Sequence, residues 1–119
     1  MYKVIIIDDE PWTIVDIEQT FALDDMGFEI IDSFRTPQKA LPAIVAKKPD
    51  LVITDIRMPG MTGLELMQKV RQQHISCEFI VVSGYSDFSY AKEAIAYGVA
   101  GYCLKPLNPT RRPCAEKSP

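Results

Sequence analysis

Residues 51–60 read LVITDIRMPG: an apolar, largely β-branched run, then a carboxylate at Asp55, then a turn carrying Pro59 and Gly60. A charge that ends so apolar a run is out of place in a core and suited to an edge. Two other runs end in the same way. KVIIIDD, residues 3–9, closes on Asp8 and Asp9, and FIVVS, residues 79–83, closes on the hydroxyl of Ser83. The apolar parts, 3–7, 51–54 and 79–82, are short, rich in Val and Ile, and continuous rather than alternating, which is the pattern of parallel strands covered on both faces. FEIIDSF at 28–34 is more polar and GYCLK at 101–105 is short, so these two suit the sheet edges. Five strands are expected.

The segments between them have helical period. Pro11 stands where a first helical turn tolerates a missing N–H, and Ile14, Ile17 and Phe21 then share one face. Thr36–Pro37 is a cap and first-turn pair with Ala40, Leu41, Ile44 and Val45 behind it. Pro42 falls inside that pattern, at a cost of about 3 kcal/mol in a regular helix, and predicts a kink or a short helix. Thr62 and Gly63 open a third helix with Leu66, Met67 and Val70 facing inward. SDFSYAKEAIAYG, residues 86–98, begins at a Ser or Asp cap, is expected to bury Phe88, Ala91 and Ile95, and stops at Gly98. Alternating strands and helices imply an α/β fold: a doubly wound parallel sheet with right-handed crossovers and helices on both faces. Ligands in such sheets gather beyond the carboxyl ends of the strands. Asp8, Asp9, Asp55, Ser83 and Lys105 all fall at that end.

The 119 residues, 47 % apolar and 24 % charged, suit one soluble domain. A formal charge of −3 gives no field to attract nucleic acid, and the one dense basic spot, Arg111 with Arg112, reads as solvated tail. No direct nucleic-acid binding is expected. The N-terminus lacks the basic start and apolar core of a secretory signal, and no run approaches the roughly 18 residues of a membrane span. A cytoplasmic protein without membrane contact is expected. Cys77, Cys103 and Cys114 have no metal-like spacing and are expected to be reduced packing residues. His74 is expected on a helix surface.

If Asp8, Asp9 and Asp55 converge, each pair of charges at about 5 Å repels by roughly 3 kcal/mol at an effective dielectric of 20. Lys105 offers one compensating charge. The remainder suits a hard divalent cation with oxygen ligands, Mg²⁺, which keeps waters and often shares its shell with a phosphate. Solvated loop acids would explain one of these aspartates but not three strand ends.

These residues carry a resemblance. The pair Asp8–Asp9, DIRMPG from Asp55, the hydroxyl of Ser83 and the KP of Lys105–Pro106 resemble the receiver domain of two-component response regulators, over residues 3–107. The stretch SGYSDFSYAKEAIAYGVAGYCLKPL resembles the subgroup that precedes an AraC-type helix-turn-helix effector, a DNA-binding domain absent from these residues. The resemblance implies a flavodoxin-like sheet of order 2-1-3-4-5 and a phosphorylation-dependent signalling switch rather than an enzyme, its only chemistry being its own phosphorylation and dephosphorylation. Asp55 would take a phosphoryl group from a phosphohistidine on a sensor histidine kinase. Mg²⁺ would be held by Asp9, Asp55, the backbone carbonyl of Arg57 and, largely through water, Asp8. Lys105 and Ser83 would bind phosphoryl oxygens, Ser83 drawing its loop inward, and Tyr102 would turn inward with it. The Lys105–Pro106 peptide would be cis. The surface of the fourth helix and fifth strand, where Tyr85, Tyr90, Tyr97 and Tyr102 cluster in sequence, would carry the output.

Two rivals share parts of this pattern. An Asp-nucleophile phosphatase of the haloacid-dehalogenase type wants a second acid two residues after the nucleophile, where Arg57 stands. A receiver-like interaction module that takes no phosphate would not need the full set of residues present. One departure concerns the end of the chain: NPTRRPCAEKSP, residues 108–119, has three prolines in twelve residues and no apolar period. A receiver domain at 1–107 followed by an irregular, truncated or non-native tail is therefore expected, with the fifth helix missing or irregular. About 300 Å² of apolar surface left bare would forgo about 7 kcal/mol, so either that tail or a second copy of the chain, as a homodimer, is expected to cover the face.

Overall fold

The computed structural model describes residues 2–20, 27–83, 88–104 and 114–116. The elements follow the expected alternation: β1 (Tyr2–Ile7), α1 (Pro11–Thr20), β2 (Phe28–Phe34), α2 (Pro37–Lys47), β3 (Leu51–Asp55), α3 (Gly63–Gln72), β4 (Glu78–Ser83), α4 (Phe88–Ala96), β5 (Gly101–Leu104) and a short β6 (Cys114–Glu116). The first five strands are parallel in the order β2-β1-β3-β4-β5. This is the doubly wound, flavodoxin-like sheet.

Alternating side chains explain why the strands are apolar throughout. Ile5, Ile7, Val52, Phe79 and Val81 point to one face and pack with Ala40 and Ile44 of α2 and Leu66, Met67 and Val70 of α3. Val4, Ile6, Leu51, Ile53, Val82 and Cys103 point to the other, where α1 contributes Ile14 and Ile17. A residue on either face of a central strand meets a packed layer, so neither face can be polar.

The helix starts follow their caps. The Thr36 hydroxyl accepts from Lys39 N at 3.4 Å with Pro37 in the first turn, and the Thr62 hydroxyl accepts from Glu65 N at 3.1 Å. Of the two expected effects of Pro42, a kink or a short helix, the second is not met: α2 runs 11 residues with Pro42 inside it. Its cap and the burial of Ala40 and Ile44 hold the helix across the lost hydrogen bond. Val45, expected inward, is exposed, and so is Ile95 in α4, at 54 %. Ile95 sits in the last turn, next to the end of the helix. Gly98 takes the left-handed conformation expected after α4, with φ +85°. His74 is exposed as expected, though in a left-handed turn (φ 58°) just past α3 rather than on it. Phe21 lies outside the described residues.

Two findings alter the reading of the tail and the cysteines. Cys114–Glu116 adds a sixth strand, antiparallel to β5, with Cys114 opposite Cys103. Cys103 is disulfide-bonded, not reduced. The antiparallel pairing explains why: it places a second cysteine at the register position facing Cys103. Cys77 is free and half-buried, and burial pushes its thiol up to about 11.

Candidate functional site

The parallel register brings the strand ends together. Ile7 pairs with Thr54 and Asp55 with Val82, so Asp8 follows β1 beside Asp55, and Ser83 ends β4 one position further on. Asp8, Asp9, Glu10 and Asp55 each present a carboxylate oxygen to one point, all within 4.8 Å of one another. The three aspartates singled out by the sequence therefore do converge.

Local hydrogen bonds fix this arrangement. Asp8 is buried, its backbone N–H donates to Phe34 O at 3.0 Å, and its Oδ1 accepts from Glu10 N at 2.9 Å. That last bond folds the acidic loop into a tight turn, a habit of aspartate. Arg35, just past β2, reaches Asp9 O with its Nη2 at 3.4 Å. Glu10 O accepts from Thr13 N at 3.0 Å and so begins α1. Asp55 is 5 % exposed, with Thr54 Oγ1 donating to its carbonyl at 2.9 Å. The turn after it is held by Gly63 N to Ile56 O, 2.7 Å, and by Gln38 Nε2 to Pro59 O, 3.4 Å. Gly60 has φ +85°, as the Pro-Gly turn requires.

The donor set is hard, four carboxylates. Such oxygens at this spacing suit Mg²⁺ or Ca²⁺ and not a soft metal. Ser83 strengthens the case for an anion beside the cation. It is wholly buried, and its hydroxyl has no hydrogen-bond partner among the described residues. A buried hydroxyl left unmatched is costly, so one at a site edge is matched when a ligand arrives. Arg57 has an exposed side chain at the same edge, and Tyr102 is half-buried on β5, two residues before its end. Lys105 and Pro106, with the expected cis peptide, lie outside the described residues. So does Tyr85, and the side chain of Tyr90 is outside them as well.

Sequence reasoning missed Glu10, Thr54 and Arg35. Glu10 had a signal, being the third acid of the DDE run. Thr54 read as one more β-branched strand residue, and Arg35 reaches the loop only because β2 neighbours β1.

A strand-end acidic cluster in a 2-1-3-4-5 sheet fits the class of receiver domains, and comparison with known proteins shows that family. The response regulator receiver domain family matches residues 4–112, and the chain belongs to it. It is 44 % identical over 108 residues to the transcriptional regulatory protein YesN of Bacillus subtilis, covering 91 % of this chain and 29 % of that one. The transcriptional regulatory protein HptR of Staphylococcus aureus is 38 % identical over 108 residues, 91 % of this chain and 42 % of its own. The chain thus spans less than half the length of these relatives. Among solved structures, the REC domain of AraT, a response regulator from Geobacillus stearothermophilus, superposes with a TM-score of 0.81 at 35 % identity, covering 92 % of this chain and 85 % of that one. A two component transcriptional regulator AraC from Clostridium phytofermentans gives 0.77 at 31 % identity, with the same coverage.

Proposed function

We propose that this chain is a phosphorylation-dependent switch in which Asp55 accepts a phosphoryl group from a phosphohistidine on a sensor kinase. The observation that carries the reading is the convergence of Asp8, Asp9 and Asp55 within 4.8 Å, beside the buried, unmatched hydroxyl of Ser83. Asp55 Oδ attacks phosphorus, the new O–P bond forms as the N–P bond breaks, and the electron pair leaves with the imidazole. Asp9, Asp55 and the Arg57 carbonyl would hold Mg²⁺, with Asp8 reaching it through water and Glu10 within the same group of carboxylates. The bound ion would supply charge neutralisation for the carboxylates and the phosphoryl oxygens.

Ser83 and Lys105 bind phosphoryl oxygens, and the pull on Ser83 moves the loop after β4, with Tyr102 following. Phosphorylation adds about −1.5 to −2 charge and three acceptor oxygens, which these groups match in one loop arrangement only. A coupling of about 1 to 3 kcal/mol would be usual for such a switch. Its output is the α4–β5 face, where Ile95 and Tyr97 are 54 % and 45 % exposed and offer apolar contact to a partner. Trp12 and Val15 of α1, 64 % and 50 % exposed beside the acidic loop, offer the donor protein a comparable surface. The relatives are named as transcriptional regulatory proteins, which supports transcription control as the output; in this reading the controlled partner is a C-terminal DNA-binding effector and the site of action is the cytoplasm.

Intact mass after incubation with phosphoramidate and Mg²⁺ tests the reading. One phosphoryl adduct is expected, absent from Asp55→Asn. No adduct on the folded parent chain would favour a receiver-like module that is never phosphorylated.

A further inference from the structure

We propose that Thr54 is a positioning residue for the acceptor site: its hydroxyl, with Gly63, clamps the peptide after Asp55 and so sets where the Arg57 carbonyl faces. The inference rests on the reading of Asp55 as acceptor and Arg57 as metal ligand.

Thr54 is wholly buried in β3, and by strand alternation it shares the face of Val52. Valine has the same shape and is at home in a buried strand, so the hydroxyl is not there to make the strand. A buried hydroxyl needs a partner, and here the partner is the carbonyl of the next residue: Thr54 Oγ1 donates to Asp55 O at 2.9 Å. Gly63 presses on the same peptide from the start of α3. A Cβ at that position would intrude on Asp55 O and stand 3.3 Å from both the Asp55 carbonyl carbon and Ile56 Cα. The Gly63 N–H then donates to Ile56 O at 2.7 Å. The two consecutive peptides that lead from the nucleophile to Arg57 are therefore each held, the first by a hydroxyl and a close glycine, the second by a short hydrogen bond. Ile56 itself is wholly buried, which leaves that link no room to swing. A carbonyl that must meet a small, geometrically demanding cation gains from such a fixed approach.

The test compares T54V, T54S and the parent chain by calorimetric titration with MgCl₂ and by the rate of phosphoryl uptake from phosphoramidate at saturating Mg²⁺. T54V should bind Mg²⁺ roughly tenfold more weakly, in the range found for groups that orient metal ligands, and should take up phosphate more slowly; T54S should restore both. Parent-like Mg²⁺ affinity and rate in T54V, with only thermal stability lowered, would overturn the proposal, because a purely structural role moves stability alone. If circular dichroism shows T54V unfolded, T54A lacks the hydroxyl without the added methyl and is read by the same criteria. Should the parent chain take no phosphoryl group, the proposed function fails, while the magnesium titration still decides the clamp: weaker binding in T54V with recovery in T54S supports it, and equal binding contradicts it.

Discussion

Asp9, like Glu10, is an acid of the cluster that is half in solvent, and it carries no compensating ion pair among the described salt bridges. Its charge opposes three others at close range, each pair worth up to about 3 kcal/mol at an effective dielectric of 20. Asp9→Asn should therefore stabilise the Mg²⁺-free chain by about 1 kcal/mol, raising Tm by roughly 4 °C, while losing most of the stabilisation that added Mg²⁺ gives the parent. Thermal melts with EDTA and with MgCl₂ check both signs, and a lower Tm for Asp9→Asn in EDTA would count against crowding of charge. Cys77 makes a second prediction: with its thiol pushed up to about 11 by burial, it should be alkylated far more slowly at pH 7.5 than a free cysteine, since the thiolate is the nucleophile. Rapid labelling of the native chain by iodoacetamide at Cys77 would contradict this. At this scale the three aspartates and Ser83 were legible because a polar group ending an apolar run marks a sheet edge. Thr54 was not, since a hydroxyl whose work is to hold a neighbouring carbonyl looks in sequence like any other β-branched strand residue.

Helix caps and one ion pair tie the elements around the site. Thr62→Ala removes the oxygen that accepts from Glu65 N at 3.1 Å and should cost about 1 kcal/mol in urea unfolding; because α3 starts at Gly63, which abuts Asp55, part of that loss should appear as weaker Mg²⁺ binding. An unchanged midpoint would show that the cap is not holding the helix start. Lys47 at the end of α2 meets Asp32 of β2 at 2.8 Å, and the hydrogen bond from its ammonium lowers the Asp32 carboxyl pKa. A depressed carboxyl contributes stability above its unfolded value, near 4, and loses it as pH falls through the folded value. Lys47→Ala should thus cost about 0.5 kcal/mol at pH 7, the modest value of an exposed pair, and almost nothing at pH 2 or in 1 M salt. A cost that persists under those conditions would assign the effect to packing of the lysine stem. The element types were readable from caps and period. The facing of Val45 and Ile95 was not, because a stripe drawn from period alone assumes that every turn of a helix rests on the sheet, and Ile95 lies in the last turn of a nine-residue helix.

For the molecule as a whole, the central and edge places of the five strands followed from which runs were continuous and which were weak, since buried central strands need two apolar faces and edge strands do not, while the full order came from the family resemblance. β6 was not foreseeable from period: a three-residue strand is made by backbone pairing to β5, and its sequence, with prolines on either side, carries no apolar pattern. The disulfide at Cys103 depends on that pairing and was hidden with it. What the fold achieves is to set buried and half-buried acids against one another at one edge, an arrangement whose mutual repulsion favours a cation. Calorimetric titration of the folded chain with MgCl₂ is the most direct measure of that arrangement. One ion per chain is expected, with the binding heat abolished in the Asp9→Asn, Asp55→Asn double variant; no uptake at millimolar Mg²⁺, or equal uptake by the double variant, would contradict the account.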